Sequence, residues 1–187
     1  MKKQASKFLM GMLFVGTFFT ACNKDDKAPE NEEELITTVQ LRFTEVGNAS
    51  NVLTYTFKDV DGAGGAAPSL NQQIVLAPSK SYTMAVKLLN ESVTPAEDIT
   101  LEVVDEADDH QFYYVPSSNL NITVSNLNVD SKNLPLGTTS TWTTGAANST
   151  AGTVKVVLKH KPGIKAANDP ITKGETDIEI DFSARVQ

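Results

Sequence analysis

Only two histidines occur in the 187 residues, and each has neighbours that could turn it to chemistry. His110 follows Asp105, Glu106, Asp108 and Asp109 and precedes Phe112-Tyr113-Tyr114. His160 is in phase with Val154, Val156 and Leu158, so it emerges from the core face at the end of that run. Two neutral imidazoles with nearby carboxylates form a ligand set for a transition metal, and a pair of axial imidazoles could hold haem. The competing reading is two unrelated structural histidines, one satisfied at a strand end and one at a helix C-terminus, where the ring is favoured. Asp59-Val60-Asp61-Gly62 opens like a calcium loop, with Asp59 and Asp61 pointing oxygens toward one centre. Ala63 occupies the place of the third ligand and no Glu follows at the required distance, so a Gly-rich connection between strands competes with that reading. Trp142, inside Thr138–Gly145 (TTSTWTTG), is either an exposed contact for sugar or protein or part of the core.

Covalent catalysis has little to work with. The chain has no Gly-x-Ser-x-Gly and no phosphate loop, and its one cysteine is Cys22. That cysteine has a different use. Lys2, Lys3 and Lys7 precede thirteen uncharged residues, Phe8 to Thr20, which close on Ala21-Cys22. The run is too short for the ~20 residues that span a membrane and suits the apolar core of a secretory signal. Small residues before a cysteine are similar to a lipobox, so residues 1–21 read as a lipoprotein signal peptide and Cys22 as the acylated residue; an ordinary signal peptide with an incidental cysteine is the alternative. Lys24-Asp25-Asp26, which follows Cys22 after Asn23, resembles the surface-export signal of Bacteroidota lipoproteins. Residues 22–34 then read as the lipidated cysteine and an acidic, disordered tether, able to reach roughly 40 Å if extended at ~3.3 Å per residue.

Removing Lys2, Lys3 and Lys7 with the signal takes the net charge from −7 to −10. So acidic a surface argues against nucleic acid as a partner and against electrostatic attachment to anionic lipid. Membrane attachment must come through the acyl chains. With no cysteine left, residues 35–187 must be held by their core alone.

Period-two alternation dominates those residues, the mark of half-buried strands. Val39, Leu41 and Phe43, then Leu53, Tyr55 and Phe57, predict a hairpin across Gly47-Asn48-Ala49-Ser50. Ile74 to Leu76 predict a short strand, and Tyr82, Met84, Val86 and Leu88 a longer one. Leu120, Ile122 and Val124 shift phase to Leu127 and Val129, as a bulge near Ser125-Asn126 would require. Val154, Val156 and Leu158 line a late strand. The last strand alternates Ile178, Ile180, Phe182, Ala184 and Val186 with outward Asp177, Glu179, Asp181, Ser183 and Arg185. Thr94-Pro95-Ala96-Glu97 has the capping-box spacing and predicts a short helix carrying Ile99, Val103, Val104 and Ala107. About eight or nine strands with one short helical insertion predict an all-β, antiparallel β-sandwich.

The strings NEEELIT (31–37), DVDGAGG (59–65), LNESVTPAEDITLEVVDEADDHQFY (89–113), LKH (158–160) and GETDIEIDF (174–182) resemble a family of small flavobacterial surface lipoproteins labelled type 1 periplasmic-binding fold superfamily. That label implies a two-domain α/β protein, whereas the alternation above predicts a sandwich. The family's setting implies an accessory to TonB-dependent uptake, with an outer-membrane receptor as partner. Residues and resemblance together lead to a non-enzymatic binding module, lipid-anchored in the outer membrane and facing the cell surface. The alternatives are a lipoprotein that captures metal or haem through its histidines, and a structural or adhesive surface protein.

Overall fold

The computed structural model describes residues 35–61, 65–148 and 150–187. The expected signal peptide, Cys22 and the Lys24-Asp25-Asp26 signal lie outside them.

Among the described residues, ten strands and one helix follow in the order β1 (Thr38–Glu45), β2 (Asn48–Lys58), β3 (Leu70–Asn71), β4 (Ile74–Leu76), β5 (Ser81–Leu89), α1 (Ile99–Asp105), β6 (His110–Pro116), β7 (Ile122–Ser125), β8 (Thr139–Thr144), β9 (Gly152–His160) and β10 (Glu175–Val186). They form a six-stranded sheet, β3-β2-β1-β5-β8-β7, and a four-stranded sheet, β4-β10-β9-β6. The chain is an all-β, sandwich-like fold, not a two-domain α/β protein. Every pairing is antiparallel except β4 against β10, which is parallel.

The alternation explains the layers. Val39, Leu41 and Phe43 of β1 and Tyr82, Met84 and Leu88 of β5 are fully buried from one sheet, and Val154, Val156, Leu158, Phe182, Ala184 and Val186 from the other. Trp142 lies in this core. Its indole meets Phe43 edge-on at 5.1 Å and donates to Ser140 Oγ at 2.9 Å. Aromatic pairs in that geometry contribute about 0.5–1.5 kcal/mol beyond the area they bury. The exposed-contact reading of Trp142 is therefore wrong, and the Thr-rich stretch around it is strand β8.

Two local expectations also change. The helix exists, and Ile99 and Val103 are its buried residues, but Asp98 rather than Thr94 is the N-cap. Glu97 cannot serve at the third helical position because its backbone is used elsewhere: its N–H donates to the Asn90 carbonyl and its carbonyl accepts from the Asn90 N–H, at 3.0 and 3.1 Å. Thr100 Oγ1 accepts from Leu88 N–H at 2.8 Å and Lys87 pairs with Asp98, so the helix start is fixed to β5. At Ser125-Asn126 there is no bulge inside a strand. β7 ends there, and Asn126 adopts a positive φ of 49° that turns the chain away.

Candidate functional site

The two histidines meet because of backbone register. β6 and β9 are antiparallel neighbours, and His110 is the direct partner of His160. Side chains directly opposite on one face of a sheet touch. The two rings stack with centroids 4.5 Å apart and planes 5° from parallel. His110 is fully buried and His160 is 6% exposed. The forty-nine intervening residues include β7 and β8, and the register of β6 on β9 alone brings the histidines together.

His110 Nδ1 lies 3.1 Å from the carbonyl oxygen of Glu106. A carbonyl only accepts, so Nδ1 carries the proton in this contact. Metal-binding histidines are commonly oriented in this way by a backbone carbonyl. His160 Nδ1 is buried and makes no hydrogen bond among the described residues. One ligand atom each from Glu106, His110 and His160 lie within 4.8 Å of one another. Glu106 is the exposed member of this trio, and it also lines an open groove of about 650 Å³ with Asp105, Asp108, Asp109 and Asp130.

A second carboxylate approaches from β10. Asp177 Oδ2 lies 3.7 Å from His110 Nε2, and both side chains are fully buried. Strict alternation makes Asp177 an outward residue with Glu179 and Asp181, and that expectation fails for a definite reason. Thr176 pairs with Lys159 and Ile178 with Leu158, so Asp177 is the extra residue of a β-bulge. A bulge re-aims one side chain, here toward the histidines. Just before β10, Gly174 has φ +85° and packs so closely on the His160 carbonyl that a Cβ could not fit.

Buried charge surrounds the pair. Lys161, next to His160, is fully buried and donates through Nζ to Gln111 Oε1 at 2.8 Å and to Tyr113 Oη at 2.6 Å. Burial lowers its pKa, and the Asp169 carboxylate 3.6 Å away partly opposes this. Tyr113 is pushed up to about 12 by burial and by the Asp169 charge. Lys165 pairs with Asp130 at 2.7 Å and donates to the Ala107 carbonyl at 2.7 Å, fixing the chain after β9 to the segment that follows α1.

The other acidic residues divide. Asp108 accepts from Ser131 Oγ at 2.8 Å and pairs with Lys132, and Asp109 accepts from Gly163 N–H at 3.1 Å. Asp61 Oδ2 accepts from Ala66 N–H at 2.7 Å, a bond that lowers the carboxyl's pKa. Its carboxylate is turned back into its own loop. Asp59 and Asp61 join no group of three donors among the described residues.

Glu106, His110 and His160 are the described residues that could hold a small ion. Axial imidazoles approach haem iron end-on from opposite faces of the macrocycle, whereas these rings lie face to face with no space for a porphyrin between them. Asp177 and Lys161 are the buried neighbours of the histidines that sequence reasoning missed. The one available signal was polar Thr176, standing in the apolar phase of the last strand. Comparison with protein-family models, with curated proteins and with solved structures returned no match.

Proposed function

We propose that this chain is a lipid-anchored outer-membrane lipoprotein displayed at the cell surface, where its domain works as a non-enzymatic binding module that captures a transition-metal ion. The observation that carries the ligand class is the stacking of the chain's only two histidines across β6 and β9, with Glu106 within reach. Cys22 after Thr20-Ala21, followed by Lys24-Asp25-Asp26, supports the address, and the resemblance to flavobacterial surface lipoproteins supports service to a TonB-dependent transporter. Neutral imidazole and carboxylate suit ions of intermediate softness, such as zinc.

Elemental analysis of the protein purified from its host without chelator tests the reading. About one equivalent of a first-row transition metal is expected, and most of it should be lost when either His110 or His160 is replaced by Gln. A protein that arrives metal-free and takes up zinc or copper only at millimolar concentrations would reject metal capture.

A further inference from the structure

We propose that β7 is a docking edge for a second copy of this chain, with two β7 strands pairing antiparallel about a two-fold axis. β7 is an outer strand of the six-stranded sheet: β8 pairs with it on one side, and nothing bonds to its backbone on the other among the described residues. The register says which groups are free. Gly145 N–H donates to the Asn121 carbonyl at 2.7 Å, so the odd-numbered residues of this pair, Thr123 and Thr143 among them, turn their backbone groups toward each other. The N–H and C=O of Ile122 and Val124 therefore point away from β8. After the turn at Asn126, Asn128 N–H donates to the Thr139 carbonyl at 2.9 Å, so the chain runs on beside β8 and does not double back over this edge.

An open edge is a template for another strand, and native proteins blunt it with charge, proline, a bulge, shortness or a covering segment. The other edge strands are blunted. β3 has two residues and β4 three, the Val75 carbonyl of β4 accepts from Tyr55 Oη, and Phe112 N–H of β6 donates to the Leu136 carbonyl at 2.7 Å. β7 has no such cover. No residue from Gln111 to Val129 is an acid, a lysine or an arginine, so two copies meet here without like charges facing each other. The strand is also its own complement. With Thr123 on the two-fold axis, Ile122 of one copy lies opposite Val124 of the other, and their free N–H and C=O groups bond in both directions. Residues directly opposite share a face, so the buried apolar row and the outer hydroxyl row both continue across the junction. Thr123, which is exposed, then faces its own copy at a position without hydrogen bonds, where Cα atoms stand ~4.5 Å apart. The pairing is independent of any metal at the histidines.

Disulfide trapping of the full chain in its host tests the edge. Thr123→Cys is compared with wild type, which keeps Cys22, and with Thr54→Cys, an exposed threonine on β2 at the far side of the sheet. After treatment with a membrane-permeant oxidant, Thr123→Cys should give at least ~10-fold more disulfide-linked homodimer than either control, because only there do the Cα atoms fall within the ~4.4–6.8 Å that a disulfide spans. Equal trapping at positions 54 and 123 would mean chance collision and would overturn the proposal. So would the absence of dimer at position 123, since an exposed thiol held against its own copy must oxidise. A disulfide from position 123 to a different host protein, identified by mass spectrometry, would give the edge to another partner and reject the second copy.

Discussion

Lys161 holds its ammonium in the interior with no exposed surface, and burial is the main reason its pKa falls. In the unfolded chain the amine returns to about 10.4 and binds its proton more tightly than the folded protein does. Between the lowered value and that one, the unfolded state holds more protons, so this group adds stability as pH rises. Tyr113 acts in the opposite sense above pH 10, because the folded protein keeps a phenolic proton up to about 12. Lys161→Met should therefore cost about 1–3 kcal/mol by leaving Gln111 and Tyr113 without their buried donor. Urea melts should show the gap between wild type and variant widening as pH rises from 7 toward 10; a gap independent of pH would mean that folded and unfolded chains bind the amine proton equally and that burial does not lower its pKa. At the acid end, Asp169 is held low first by its hydrogen bond from Lys173, and Asp108 by its bonds from Ser131. Both contribute stability above the ordinary value of 3.8, and that contribution should disappear as pH falls through their lowered values. At this scale the sequence announced the two histidines by their rarity and their acidic neighbours. It hid Lys161, whose burial depends on partners from β6 and from the loop before β10.

At the scale of elements, alternation located the long strands because most have one buried and one solvated face, although the second half of β9 is buried on both. It failed where local chemistry disagreed with tertiary pairing. The capping-box spacing of Thr94 and Glu97 was overridden by the backbone bridge to Asn90, and the polar Thr138–Gly145 stretch gave no sign that Ser140, Trp142 and Thr144 point inward. The bulge at Asp177 belongs to the same class, since one inserted residue depends on the register of β9 and not on the composition of β10. Gly174 gives a direct check on this end of the sandwich. A methyl group there would collide with the His160 carbonyl and would sit on a backbone of φ +85°. Gly174→Ala should cost about 1–3 kcal/mol in chemical denaturation, and should weaken zinc binding by displacing His160. Unchanged stability would mean that the loop before β10 can move aside without strain.

For the molecule as a whole, the two sheets enclose one core that needs no disulfide, which suits a chain whose only cysteine stands at position 22. Cys22→Ala should leave the exported protein unacylated and in the soluble fraction. Metabolic labelling with palmitate checks this, and label retained on the variant would dispose of the lipid anchor. The proposed address rests on linear residues because membrane and export machinery act on short segments. The candidate site was only partly readable because Glu106, His110 and His160 come from the turn before β6 and from facing positions on two strands. The face-to-face histidines have one more consequence, and it is magnetic. Each imidazole lies in the ring current of the other at 4.5 Å, and the chain contains no third histidine. The carbon-bound ring protons of both should be shifted together to low frequency in a proton NMR spectrum. They form a two-signal reporter native to the site, which should move on occupancy, protonation or loss of either strand.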